Sequence, residues 1–442
     1  MISRDKIGLW PLTSLVTGNL VGSGVFLLPA TLAAFGTVSL LGWIATSIGA
    51  ILLALVFAQL SATHTQTGGP YVYARHAFGD TVGFFVCWGY WMLSWISNPA
   101  LAVAAVGYIS VLMGGLSPSL HFWLELIIIF LLTAFNLMGI KITGRTELVV
   151  TLLKVIPLIF LPIIGLFYID LENFSVLNAS GKPFGVALNS VAFLTLWAFV
   201  GVETGTVPAG QVIHAKRTVP LATILGTCIA ATIYIIGTIV VMGVVPYEDL
   251  IHSKSPYADA ASLVFGKNWA IPVAVAAVVS CLGTLNGWIM VVGRIPYGAA
   301  EDGLFPNIFK RTTQHGTPYW GILISAACSL PLLFLTITNT LLGQFYFIID
   351  VAVTLILLVY TVCILAYFKI LKEQKHLTPL KALLGMGALG FTLWALWAAS
   401  LKTVGLSLLI VFFGIPMHLY MHRKKINQAS SQSLSTRQIV EP

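Results

Sequence analysis

The sequence predicts an all-α polytopic membrane protein with twelve transmembrane helices, and three observations carry that prediction. Of its 442 residues, 58% are hydrophobic and only 9% charged, where a soluble domain carries about a quarter charged residues. Apolar runs of about 20 residues, long enough to cross a hydrocarbon core, recur along nearly the whole chain. The basic residues between those runs are distributed one-sidedly. With the N-terminus in the cytoplasm, 18 of the 23 Lys and Arg residues fall inside, Lys182, Lys254, Lys267 and Lys402 fall outside, and Lys154 lies within a span. That asymmetry places both termini in the cytoplasm. It also explains the net charge of +8 as a topology signal near anionic lipid rather than a nucleic-acid surface.

The first span covers 8–32. Arg4 and Lys6 precede it as they would a signal peptide, but no small-residue cleavage site follows, so it reads as a true span. It contains GNLVGSGVFLLP, in which Gly22, Ser23 and Gly24 stand mid-run, although glycine in a helix interior costs roughly 0.8–1 kcal/mol against alanine. Spans two to five cover 38–62, 81–112, 122–140 and 147–169. The sixth, 186–210, holds LWAFVGVETGTVPAG, where Gly201 and Gly205 bracket Glu203 and Pro208 follows. The others cover 220–245, 269–294, 319–338, 344–368, 379–399 and 403–421. The whole reads as one transporter domain over 1–422, with a polar, Ser/Gln-rich, disordered cytoplasmic tail from 423 to 442.

Spans one and six are the two with glycine-rich interruptions, and they stand five helices apart. An odd offset inverts the second copy in the membrane, which is the pattern of transporters built from inverted repeats around paired broken helices. The two repeats would cover about 8–169 and 186–368, with extra helices over about 379–421. GPYVYARHAFGD after span two and SPYADAASLVFGK after span seven agree with this: each has Pro-Tyr, then alanine, then Phe-Gly. An unwound Gly22-Ser23-Gly24 would aim the positive end of a half-helix at a carboxylate. The other reading of the three small residues is a helix-packing face.

Three ionisable residues stand well inside spans, Lys154, Glu203 and Asp350, and each needs a partner, an aqueous cavity or a task. Glu203, in the second break, is a candidate proton carrier, gate or counter-charge, or else a carboxylate capping a broken helix end. Lys154 either takes the place of a coupling cation on carbonyls of the broken first helix or snorkels to the interface. Asp350 is a gate residue or an interfacial carboxylate. Trp197 and Trp288 are separated from belt tryptophans by their position, next to the span-six break and mid-span in helix eight. The five cysteines form no CxxC pair, so neither a disulfide framework nor a metal site is expected. No HExxH and no Gly-rich phosphate loop occurs, which argues against an intramembrane enzyme and an ATP-driven pump.

GNLVGSGVFLLP, GGPYVYARHAFG, LWAFVGVETGTVPAG, AKRTVPLATILGT and AAEDGLFPNIF resemble the amino acid–polyamine–organocation (APC) superfamily, closest to its basic amino acid/polyamine antiporters. The resemblance runs from about residue 6 to 420. It implies five-plus-five inverted repeats and two extra helices, alternating access around a midplane site, small amino acid and amine substrates, no cofactor, no nucleic acid, a bacterial-type inner membrane and a homodimer. By that resemblance Val21, Ser23 and Gly24 bind the substrate carboxylate, and Trp197 and Val200 meet the α-amino end. Asn98 and Leu101 form the third-span wall, and Trp288 packs on the substrate stem. Glu203 and Tyr90 form an inner gate pair.

Four positions depart from the arginine/agmatine branch of the family: Lys154 for an apolar residue, Asp350 for a serine, Leu358 for an inner-gate tyrosine and Leu101 for a methionine. Asn98 and Trp288 favour exchange of an arginine-like amino acid for an agmatine-like amine. Lys154 favours the alternative, a neutral amino acid permease with proton coupling.

Overall fold

The structure is a computed structural model that describes residues 6–253, 255–334 and 341–426, without the side chains of 140–148 and 341–346. Its helices are α1 (Leu9–Leu20), α2 (Ser23–Ala33), α3 (Val38–Thr63), α4 (Pro70–Phe78), α5 (Asp80–Leu112), α6 (Pro118–Asn136), α7 (Ile140–Gly165), α8 (Phe184–Leu196), α9 (Ala215–Val244), α10 (Tyr247–Leu250), α11 (Pro256–Phe265), α12 (Ala270–Glu301), α13 (Tyr319–Leu333), α14 (Leu341–Glu373), α15 (Pro379–Leu396) and α16 (Leu401–Phe412). Among the described residues, eleven helical stretches are long and apolar enough to cross a membrane, and α13 is a shorter apolar one. The protein is therefore a multi-pass helical membrane protein.

The first span is two helices. α1 ends at Leu20, Val21 leaves helical geometry at ψ 86°, and α2 restarts at Ser23 with no side chain capping it. The glycines there are required by close approach. A Cβ on Gly22 would lie 2.9 Å from the Thr284 side chain of α12, and one on Gly24 would lie 3.1 Å from Ala198 Cβ. The sixth span breaks more severely. α8 passes into a 3-10 turn at Trp197–Phe199, Val200 is extended, and Gly201 takes φ +116°. Beyond it the chain forms only 3-10 turns, Thr204–Thr206 and Ala209–Gln211, so the α-helical span expected to reach 210 ends at Leu196. Pro208 removes a donor. The Thr204 and Thr206 hydroxyls donate back to the Gly201 and Glu203 carbonyls at 2.6 and 2.7 Å, competing with helical pairing.

The two Pro-Tyr segments become the short helices α4 and α11. Each opens with proline in its first turn and closes on a left-handed glycine, Gly79 at φ +87° and Gly266 at φ +96°, whose N–H donates to the carbonyl four residues back. Two segments five spans apart thus share composition, cap geometry and position relative to a preceding long helix. This supports the repeat read from the sequence.

α5 packs on α12 and α14, α3 packs on α9, and α1 sits against α7, α9 and α12. α6, α15 and the final helix turn most of their side chains outward, with Phe130, Trp397 and Leu401 exposed, as lipid-facing helices do. The tail expected to be disordered from 423 remains helical to Ile426, and Lys425 pairs with Asp80 at 2.5 Å. Residues 427–442 lie outside the described residues.

Packing at the first break yields a stability prediction. Gly24→Val would drive a branched side chain into Ala198, and overpacking of this kind typically costs about 1–3 kcal/mol. A thermal melt of the purified variant in detergent is expected to fall below wild type. An unchanged melt would mean that α2 and the span-six break are not in fixed contact.

Candidate substrate site

The breaks meet at a small enclosed cavity. It is lined by Asn19, Leu20, Gly22, Ser23 and Gly24 from the first span, Ser97 and Leu101 from α5, Trp197, Ala198 and Val200 from the sixth span, and Thr284 and Trp288 from α12. Its volume is about 20 Å³, room for roughly one water, whereas ligand pockets run to about 300–1,000 Å³. This conformation is closed, and any solute larger than water requires it to widen.

Six residues singled out in the sequence for substrate contact, Ser23, Gly24, Leu101, Trp197, Val200 and Trp288, line this cavity together. Trp197 donates its indole N–H to Ser23 Oγ at 3.3 Å, joining the two breaks at the α8 side of the cavity. Val21 lies in the gap but does not line the cavity, and its carbonyl accepts from Ser280 Oγ at 3.2 Å and Thr284 Oγ1 at 3.0 Å. Asn98 is 2% exposed and does not line the cavity in this conformation, although its neighbour Ser97 does. Its Oδ1 is buried and has no hydrogen-bond partner.

Chemistry differs on the two sides of the first break. The end of α1 leaves carbonyls without helical partners, and side chains of α7 and α12 meet them. Lys154 Nζ donates to Gly18 O at 2.6 Å and to Thr284 Oγ1 at 3.0 Å, and it is fully buried. Thr284 Oγ1 lies 2.8 Å from Gly18 O and 3.0 Å from Val21 O, so its single proton serves one of them at a time. Lys154 therefore does not snorkel. Its ammonium occupies the carbonyl-lined position at the broken helix. The start of α2, by contrast, has no capping side chain, and its first residues line the cavity. A carboxylate is the natural complement to such an end.

Toward the end of the bundle that carries Arg75, Lys216 and Arg217, Tyr90 donates to Glu203 Oε1 at 2.7 Å, and Tyr360 donates to Oε2. All three residues are fully buried. Tyr90 precedes Ser97 by seven residues on α5, about 10 Å at a helical rise, so this cluster stands between the cavity and that end. Leu358 makes no such contact; the second phenol on Glu203 belongs to Tyr360, two residues further along α14. Further toward that end, Arg75 bridges Asp80 and Asp302, both at 2.8 Å, tying α4 to the last turn of α12. Asp350 stands apart. It is half-buried, does not line the cavity, and forms no ion pair with Lys154.

Sequence reasoning missed Asn19, Ser97, Ser280, Thr284 and Tyr360. It also missed the buried Glu125 in α6 and Arg294 in α12, whose guanidinium donates to Gln211 Oε1 at 2.5 Å. Pro99, inside α5, gave a signal that was available but unused. Its missing N–H frees the Trp95 carbonyl, which accepts from Ser329 Oγ of α13 at 2.9 Å.

Residues 7–429 match the profile of the amino acid permease family. The chain belongs to that family. A cadaverine/lysine antiporter of Escherichia coli K12 is 34% identical, with 98% of this chain and 100% of the relative covered. A putative arginine/ornithine antiporter of Bacillus subtilis is 32% identical (96% and 98% covered), and the putrescine transporter PotE of Haemophilus influenzae is 32% identical (95% and 98% covered). This amino acid permease family member is thus a transporter related to basic amino acid/polyamine antiporters, and not an enzyme.

The Lys154 contacts generate the second prediction. Lys154→Met leaves the Gly18 carbonyl dependent on the one proton of Thr284. A hydrogen bond from a charged donor is worth about 1.5–3 kcal/mol, so its loss is expected to lower the unfolding midpoint in a fluorescence thermal melt. A midpoint equal to wild type would show that the ammonium is not holding the break.

Proposed function

We propose that this permease is a secondary antiporter that exchanges a cationic amino acid, arginine-like, for a decarboxylated amine, agmatine-like, by alternating access. It works in a bacterial cytoplasmic membrane with both termini inside. The observation that carries the reading is the closed cavity at the crossing of the two breaks, with an uncapped helix start on one wall. That wall suits a carboxylate, and Trp288 and Leu101 supply an apolar channel for an aliphatic stem. The three relatives named above support the cationic class. The one-sided distribution of Lys and Arg supports the orientation.

Lys154 favours a second reading, a neutral amino acid permease coupled to protons, because its ammonium rests on the carbonyls that a coupling cation would use. Uptake of labelled arginine and lysine into proteoliposomes separates the two readings. Exchange predicts uptake only when the lumen holds a cationic partner such as agmatine, cadaverine or ornithine. Uptake of a neutral amino acid into empty vesicles, driven by external acid, would overturn exchange in favour of the second reading.

Glu203 stands between the cavity and the basic end and is the proposed proton-linked gate. Glu203→Gln keeps the shape of the side chain but cannot carry the carboxylate charge. The pH dependence of exchange is expected to flatten in this variant while the dissociation constant for substrate changes little. A pH profile identical to wild type would remove Glu203 from the gate.

A further inference from the structure

Asn19 is a polar side chain in the cavity that neither the fold nor the reading above employs. It stands on the last turn of α1, is 2% exposed and lines the cavity, yet neither its Oδ1 nor its Nδ2 has a hydrogen-bond partner. It faces the second break: a Cβ on Gly201 would lie 3.6 Å from Asn19 Cβ and 3.2 Å from Trp288 Cζ2. Buried amides are normally paired, and one that is not calls for an explanation.

The other polar side chains at the cavity each already hold a partner. Ser23 Oγ accepts from Trp197, Ser97 Oγ donates to Leu93 O at 2.7 Å, and Thr284 serves the carbonyls of Gly18 and Val21. Glu203 is held by two phenols. The uncapped start of α2 offers only N–H donors, which suit an anion. A decarboxylated amine brings no carboxylate to that end, so a site that takes it needs an acceptor elsewhere in the cavity. An amide donates from one atom and accepts at another, and a half-turn about its last bond exchanges the two positions.

We propose that Asn19 is the specificity-determining side chain that lets one cavity take both members of an exchanged pair. Nδ2 donates to the carboxylate of the cationic amino acid, and Oδ1 accepts from the ammonium of the amine. The inference rests on the exchange reading above.

The test measures dissociation constants on the full-length protein in nanodiscs, for lysine against cadaverine and for arginine against agmatine, in wild type, Asn19→Asp and Asn19→Leu. Asn19→Asp repels a carboxylate and attracts an ammonium, so the affinity ratio is expected to move toward the amine by about tenfold or more. Asn19→Leu is expected to weaken both ligands of the pair. An Asp variant that elutes as a single species and keeps the wild-type ratio overturns the proposal and assigns the amide to the cavity wall. Should the Asp variant not fold, Asn19→Leu decides: loss at both ligands supports the dual role, and unchanged constants overturn it. A wild type that binds neither pair fails the exchange reading itself, a result distinct from any change of ratio.

Discussion

Backbone that leaves helical geometry inside a bilayer must find its hydrogen-bond partners within the protein or in a water-filled cavity. The two breaks of this fold impose that requirement at one point, and much of the surrounding architecture answers it. The carbonyls at the end of α1 are met by Lys154, Ser280 and Thr284, which fixes α7 and α12 against the first span. The Ala198 carbonyl in the second break accepts from Tyr234 of α9 at 2.9 Å. The Phe26 carbonyl in α2 accepts from Tyr108 of α5 at 3.0 Å. The donors come from four long helices, α5, α7, α9 and α12, so the breaks are pinned by the scaffold around them.

Some unmet groups lie at or beside the cavity. The start of α2 has no cap, the Asn19 amide has no partner, and the Oδ1 of Asn98, one residue from the cavity-lining Ser97, has none either. Natural sequences satisfy local rules nearly everywhere and break them at functional positions. The contrast between the pinned carbonyl side and the open donor side of a single helix break is what the proposed substrate position rests on. It also explains how one break can carry two tasks. Lys154, Thr284 and Ser280 pair the carbonyl side, and the donor side remains available.

The sequence disclosed what depends on local pattern. Glycine clusters marked both breaks, Pro-Tyr and Phe-Gly marked α4 and α11, and single charges in apolar runs marked Lys154 and Glu203. What it withheld depends on distance in space. Thr284 and Ser280 are unremarkable on an apolar helix until α12 brings them beside Gly18 and Val21. Tyr360 was passed over for Leu358 because two residues on a helix differ by about 200° in facing, and one sequence carries no register against α5 and the break. Asn19, beside a conspicuous Gly-Ser-Gly, is an ordinary polar residue until its burial is known. The 3-10 lower half of span six escaped because composition reports that a helix is weak, not which hydrogen-bonding pattern replaces it.

The same unmet groups bear on why a carrier of this kind would exchange rather than leak. Alternating access passes through a closed state, in which a narrow cavity sets an amide and an uncapped helix start against whatever occupies it. Each buried group without a partner costs about 1–3 kcal/mol, so under the exchange reading a solute that pairs two or three of them is favoured by about thirtyfold or more over one that does not. A ligand that supplies a carboxylate, or an ammonium in its place, removes that penalty and lets the transition proceed. Under the exchange reading the obligation to carry a substrate in each direction then follows from hydrogen-bond satisfaction at the crossing of two broken helices.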